Sequence, residues 1–132
     1  MNEPLEEWIA KAEGDAASAN RELNARIRPN YDSACFHAQQ CVEKYLKAVL
    51  IYQAVVFPKV HDLEILLDLC LASFPLWEAM RNDLQLLTQY AVQFRYPGES
   101  ADKDDARKAV SAMKRSCTTI RASLPVRSRY PA

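Results

Sequence analysis

Glycine is nearly missing from this chain: Gly14 and Gly98 are the two glycines among 132 residues. Hairpin turns depend on glycine for positive φ, so the scarcity argues against a strand-rich fold and for helices. Net charge is missing as well, because 17 Lys and Arg face 17 Asp and Glu. No global field therefore draws the chain to nucleic acid or to a membrane surface. No apolar run reaches membrane-spanning length, and no membrane association is expected. The four cysteines, Cys35, Cys41, Cys70 and Cys117, show neither CxxC spacing nor a metal-like cluster. Cys35 and Cys41 fall more than a turn apart on one predicted helix, too far for a bridge between them. Buried, reduced thiols are the expectation, which suits a cytoplasmic protein. Glu3, Glu6 and Glu7 stand where a signal peptide would carry basic residues. A Gly-rich phosphate loop, HExxH and GxSxG are all lacking, so no cofactor and no metal is expected.

What the chain does have is helical periodicity. Its length suffices for one domain with its own core, and its apolar and charged content is that of an ordinary globular protein. The stretch from Tyr31 to Gln53 contains no Pro and no Gly. On a helical wheel, Ala34, Cys35, Ala38, Cys41, Val42, Tyr45, Leu46, Val49 and Leu50 share one broad arc. So wide an apolar arc predicts a central helix touching several neighbours.

Four further helices are predicted around it. The first runs from about Pro4 to Leu23, with Leu5, Trp8, Ile9, Ala12, Ala16, Ala19 and Leu23 as its apolar stripe. Pro29 separates it from the central helix, for which Asn30 is the predicted cap. The third, about Leu63 to Ala72, is capped by Asp62. The fourth spans about Pro75 to Phe94 and stops at Arg95-Tyr96-Pro97-Gly98. The fifth spans about Lys103 to Leu124, and Val126 to Ala132 is expected to be a loose tail. The fold class is all-α, an up-and-down antiparallel bundle of about five helices over residues 1–125.

Candidate chemistry gathers on the polar side of the central helix. His37, Gln40, Lys44 and Lys47 sit at i, i+3, i+7 and i+10, which places them in one row. An imidazole, an amide and two ammonium groups could hold a phosphate or a base. The competing reading is a solvated face with a Glu43–Lys47 pair worth a few tenths of a kcal/mol. His61, beside the Asp62 cap, is either a base or phosphate ligand at a positive helix end, or packing for the first turn. Arg95 and Tyr96 either clamp a phosphate and stack on a base, or cap and pack a helix end. From Lys103 onward eight basic residues face two acidic ones. Lys103, Arg107, Lys114 and Arg121 could follow a phosphate backbone or simply form an exposed face.

Taken together these residues resemble the HEPN family of small helical proteins. The likeness begins with Trp8, Lys11-Ala12-Glu13 and Asp15. It is strongest at Phe36-His37-Ala38-Gln39-Gln40 followed by Val42-Glu43-Lys44-Tyr45-Leu46-Lys47-Ala48. It continues through Pro58-Lys59 and His61-Asp62-Leu63 and closes at Arg95-Tyr96-Pro97-Gly98. The resemblance implies a five-helix bundle, often a homodimer, associated with nucleotides or RNA. It further implies a separate minimal nucleotidyltransferase as partner in a toxin–antitoxin-like pair. His37, Gln40, Lys44, Lys47, His61, Arg95 and Tyr96 would line a common ligand-binding cleft.

One departure matters. Ribonuclease members of the family carry Arg followed by His after four to six residues, and here no Arg precedes His37 or His61 at that separation. Arg28 is too far back and lies across Pro29. The expected function is thus a non-catalytic nucleotide- or RNA-associated module. Two alternatives stand beside it: a metal-independent ribonuclease toxin with a rearranged site of His61, His37 and Arg95, and a purely structural interaction module.

Overall fold

Asn30 opens the central helix. Its backbone is extended (φ −112°, ψ 91°), and its side-chain oxygen accepts the Ser33 N–H at 2.9 Å. That bond satisfies one of the donors a helix start leaves without an intrahelical partner. The computed structural model describes residues 5–125. It comprises α1 (Leu5–Asn24), α2 (Tyr31–Tyr52), α3 (Leu63–Cys70), α4 (Arg81–Gln93) and α5 (Lys103–Arg121), with no strand among the described residues. The predicted start at Pro4 and the tail from Val126, including Arg129-Tyr130-Pro131, lie outside the described residues.

α2 packs against each of the other four helices, most extensively against α1 and then α5. All nine residues of its predicted apolar arc are buried. Facing them, α1 supplies small residues, Ala12 and Ala19, with no exposed surface. Short side chains let the two helix axes approach closely. α3 adds Leu63, Leu66, Leu67 and Cys70, α4 adds Leu84 and Leu87, and α5 adds Val110, Met113, Cys117 and Ile120. Each wholly buried leucine contributes about 1.5–3 kcal/mol of transfer free energy.

Three helix boundaries differ from expectation by two residues or more, one of them the end of α5, at Arg121 rather than Leu124. α3 stops at Cys70 rather than Ala72, and the segment Pro75–Met80 is a 3₁₀ turn leading into α4 rather than its first α-turns. The entry at Phe74 has no side-chain cap, and Phe74 stacks on Trp77 with ring centroids 4.2 Å apart. Tighter 3₁₀ bonding is a common answer to such an uncapped start. α5, in contrast, opens on a full capping box. Asp105 N–H donates to Asp102 at 2.8 Å, and Asp102 N–H donates to Asp105 at 3.0 Å.

α2 closes without glycine. Val55 N–H donates to Leu50 O at 2.8 Å and Ala54 N–H to Ile51 O at 3.0 Å, the bond pair of a Schellman motif. Ala54 sits at φ 58°, where glycine would be unstrained. After α4, the Glu99 N–H donates to Tyr96 O at 3.2 Å across Pro97 and Gly98 (φ 89°). Pro second and a positive-φ Gly third are what a type II turn requires, so Tyr96-Pro97-Gly98 is explained by backbone geometry alone.

Candidate functional site

Two buried carboxylates organise the polar side of α2. The first is Asp15, set into the buried stripe of α1 between Ala12 and Ala19. Its Oδ1 accepts from His37 Nδ1 at 2.8 Å and its Oδ2 from Lys44 Nζ at 2.5 Å. A carboxylate only accepts, so the hydrogen of His37 resides on Nδ1. One acid on α1 thus holds two side chains that stand two turns apart on α2.

The second is Glu43, on α2 itself, whose side chain is 5% exposed. It accepts from Lys47 Nζ at 3.1 Å, from Gln39 Nε2 at 3.1 Å and from His61 Nδ1 at 3.1 Å. Gln39 also donates to the His61 carbonyl at 2.9 Å and accepts from Gln40 Nε2 at 2.9 Å. These bonds dock the connection between α2 and α3 onto α2, with Phe57 and Val60 packed on the core beneath. Lys47, 10% exposed, lies 6.0 Å from the centre of the Phe57 ring. His61 differs: its Nδ1 is held by Glu43 while its side chain remains 78% exposed. Hydrogen bonds to an ionised carboxylate are stronger than neutral ones, and they tie Lys47, Gln39 and His61 to one acid.

His37, Gln40, Lys44, Lys47 and His61 are therefore brought onto one face, each bonded to Asp15, Glu43 or Gln39. The solvated Glu43–Lys47 pair considered from sequence is instead buried, and the Lys47 ammonium is turned to Glu43 rather than to solvent. Arg95 does not join the network. It lines a separate cavity of about 390 Å³ at the start of α2, with Asn30, Asp32, Ser33, Phe36, Tyr90 and Phe94. Phe36 belongs to this cavity and also meets His37, the two rings edge-on with centroids 5.4 Å apart. Tyr96 is 60% exposed in its turn. On α5, Lys103, Arg107 and Lys114 are exposed, whereas Arg121 turns inward, 5.9 Å over the Tyr45 ring.

Sequence reasoning named Asp15 in the family likeness and paired Glu43 with Lys47 but left both acids out of the candidate site. Asp15 was available as a signal: a carboxylate three residues after Ala12 and four before Ala19 shares their face and must find a partner there. Gln39 is 2% exposed, and its place beside the apolar arc hid its role as the hub between Glu43, Gln40 and His61. A shallow groove of about 230 Å³ beside Lys44 is lined by Glu7, Trp8 and Lys11, which extends the polar face onto α1.

Elsewhere burial controls the titratable groups. The four thiols are free and buried. Desolvation pushes Cys70 up to about 11, and desolvation with nearby Asp105, Asp32 and Asp102 pushes Cys35 up to about 12. Tyr90 is raised to about 12 by burial and by its bond to Asp105. Among the described residues no group of three or more His, Cys, Asp or Glu is placed to hold a metal, and no helix is long and apolar enough to cross a membrane.

A five-helix bundle with a polar seam built on its second helix defines a class of small all-α proteins. The HEPN domain model matches residues 5–122, and this chain belongs to that family. Its fold is similar to the crystal structure of TT1696 from Thermus thermophilus. That likeness has a TM-score of 0.73 and 23% identity, covering 94% of this chain and 100% of that one. It is also similar to ST0689, an archaeal HEPN homologue, with a TM-score of 0.65 and 23% identity over 91% of this chain and 97% of that one. A search of curated proteins finds no match.

Proposed function

We propose that this chain is a non-catalytic nucleotide- or RNA-binding module. On this reading it is a homodimer that works with a separate minimal nucleotidyltransferase in a toxin–antitoxin-like pair. The observation that carries the binding reading is the mounting of two imidazoles on buried carboxylates. His37 and His61 each bond through Nδ1 to Asp15 or Glu43, which leaves Nε2 without a protein partner among the described residues. Beside them, Lys11, Lys44 and Trp8 border the adjoining groove, a setting for a phosphate and a stacked base. The two acids and the two lysines of the network cancel in charge. Recognition would thus rest on oriented hydrogen bonds more than on net field, and its salt dependence should be shallow.

Thermal shift with ATP, GTP, UTP and a short RNA tests the reading, with affinity purification from the native cell for the partner. Binding at tenfold above Kd should add about 1.4 kcal/mol of stability. His61→Ala and Lys44→Ala should remove the shift, and absence of any shift at millimolar ligand would reject it. A second reading, a metal-independent ribonuclease, draws on the exposed His61 imidazole oriented by Glu43, an arrangement suited to proton transfer. It requires RNA cleavage that survives EDTA and disappears in His61→Ala.

A further inference from the structure

A cavity of about 390 Å³ opens between α1 and α5, away from the polar seam. Ala16 and Ala17 form one wall, Met113 and Cys117 the other, and Tyr45 of α2 also lines it. The Tyr45 hydroxyl is buried and has no hydrogen-bond partner. A buried polar atom beside an open cavity is a place where a small polar molecule can be held. Behind Cys117 lies Cys41 of α2, with the two Sγ atoms 3.3 Å apart although the residues are 76 positions apart in the chain. Cys35 and Cys70 have no thiol contact of this kind.

We propose that Cys41 and Cys117 form a redox-active dithiol, converted to an α2–α5 disulfide by a small hydroperoxide that enters through this cavity. The geometry assigns the roles. Cys117 lines the cavity and is the thiol an entering molecule meets; Cys41 is completely buried behind it. In the first step the Cys117 sulfur attacks the terminal oxygen of the hydroperoxide. An S–O bond forms, the O–O bond breaks, and the leaving oxygen departs with a proton as alcohol or water. Cys117 is then a sulfenic acid. In the second step the Cys41 sulfur attacks Cys117; an S–S bond forms, the S–O bond breaks, and water leaves with the Cys41 proton. Two thiols and one hydroperoxide give one disulfide, one alcohol or water molecule, and one further water, and two electrons pass from sulfur to the peroxide. The sulfurs must close from 3.3 Å to the roughly 2.05 Å of a disulfide, a movement small against the rotamer freedom of two cysteines.

Burial slows this chemistry without forbidding it. Contact with Cys117 and desolvation hold the Cys41 thiol well above its ordinary range, with the Arg121 cation opposing them. Cys41 is thereby kept protonated at neutral pH, which disfavours it as the first attacking thiol and slows its own attack on Cys117 until that proton is lost.

The test uses reduced, full-length protein treated with excess hydrogen peroxide under native conditions. The expected product has lost two hydrogens in intact mass, and its non-reducing peptide map joins Cys41 to Cys117. Its melting temperature should rise by roughly 7–15 °C, because the bridge closes a long loop of the unfolded chain. Cys41→Ser should stop at a Cys117 sulfenic acid that dimedone traps, and Cys117→Ser should take up neither oxygen nor dimedone at Cys41. Unchanged mass after prolonged peroxide would overturn the proposal. So would a bridge through Cys35 or Cys70, a bridge between two copies, or over-oxidation of Cys117 with no bridge. The wild-type peptide map decides the matter by itself should either variant fail to fold.

Discussion

The molecule contains two ionic clusters of opposite character. Around α2, Asp15 and Glu43 are buried and hold His37, Lys44, Lys47 and His61. Between α3 and α4, Arg81 is gripped by Glu64 at 3.0 Å, Asp68 at 2.5 Å and Glu78 at 2.5 Å. Those three acids are 32%, 60% and 55% exposed, so water competes for every one of them. Both clusters satisfy the same geometric criteria. Their consequences differ because a broken surface pair is simply rehydrated, whereas a broken buried pair strands a charge. The buried cluster is also the one that presents an imidazole to solvent on a fixed support, which is why the functional reading attaches to α2 and not to the richer set of acids at Arg81.

Glu43→Ala should break the comparison most sharply. It leaves the Lys47 ammonium and the Gln39 amide buried without their acceptor, a loss of about 3–5 kcal/mol in urea unfolding. It should also free the connection carrying His61, seen as faster amide exchange around residues 57–61. Joint replacement with Glu43→Leu and Lys47→Met should recover part of the stability, since neither charge of this pair is then buried although the Gln39 amide still lacks its Glu43 acceptor, while any ligand binding stays lost. If the single variant loses under 1 kcal/mol, the seam behaves like a surface pair.

pH separates the apolar core from the exposed Arg81 cluster, from opposite sides. Cys70 is 9.0 in the unfolded chain and about 11 when folded. Above pH 9 the unfolded state has released a proton that the folded state retains, so stability falls as pH rises. Each such thiol contributes up to about 1.4 kcal/mol per pH unit until its folded value is reached. Cys35, raised to about 12, steepens the same decline. Cys70→Ala should flatten the fall between pH 9 and 11 in a stability–pH series. Glu78 runs the other way. Its bond to Arg81 holds it below its ordinary 4.5, so its contribution is present above that pH and is lost as pH falls through the folded value.

Arg81→Ala should then have a smaller effect on melting than Glu43→Ala, one that shrinks further in 1 M salt as exposed pairs are screened. A salt-independent effect as large as that of Glu43→Ala would show the cage to be desolvated and erase the distinction.

The helices were legible because their signals are local. The apolar arc of α2, the Asn30 and Asp62 caps and the Pro97-Gly98 stop all depend on residues within a turn or two of one another. The row His37, Gln40, Lys44, Lys47 was legible for the same reason, as one face of one helix. Its partners were not. Asp15 reaches His37 across 22 positions and Lys44 across 29, and Glu43 reaches His61 across 18. Periodicity on one helix carries no information about which acid faces it from another. Arg95 is the opposite case: the family resemblance implied a neighbour of the row, but Arg95 lines the cavity at the start of α2 with Phe36 and Phe94. The Cys41–Cys117 contact was hidden likewise, since spacing within one helix excluded Cys35–Cys41 and said nothing of α2 against α5.

The smallest effect concerns how the elements bearing the two clusters are closed. α2, which carries the buried seam, closes on Ala54 at φ 58°, and the turn after α4 closes on Gly98 at φ 89°. A Cβ at positive φ crowds the following carbonyl, so alanine there is strained by about 1 kcal/mol relative to glycine. Ala54→Gly should relieve that strain. Its effect is partly offset because glycine also gains freedom in the unfolded chain, and a net rise of about 0.5 kcal/mol is expected. Gly98→Ala should lose about 1 kcal/mol, although no neighbouring atom lies within 4 Å of the added Cβ, so the whole effect is backbone conformation. Opposite signs in the two variants, measured by urea unfolding, would show that both closures hold their positive φ in solution. A destabilising Ala54→Gly would show instead that the end of α2 does not adopt this Schellman geometry.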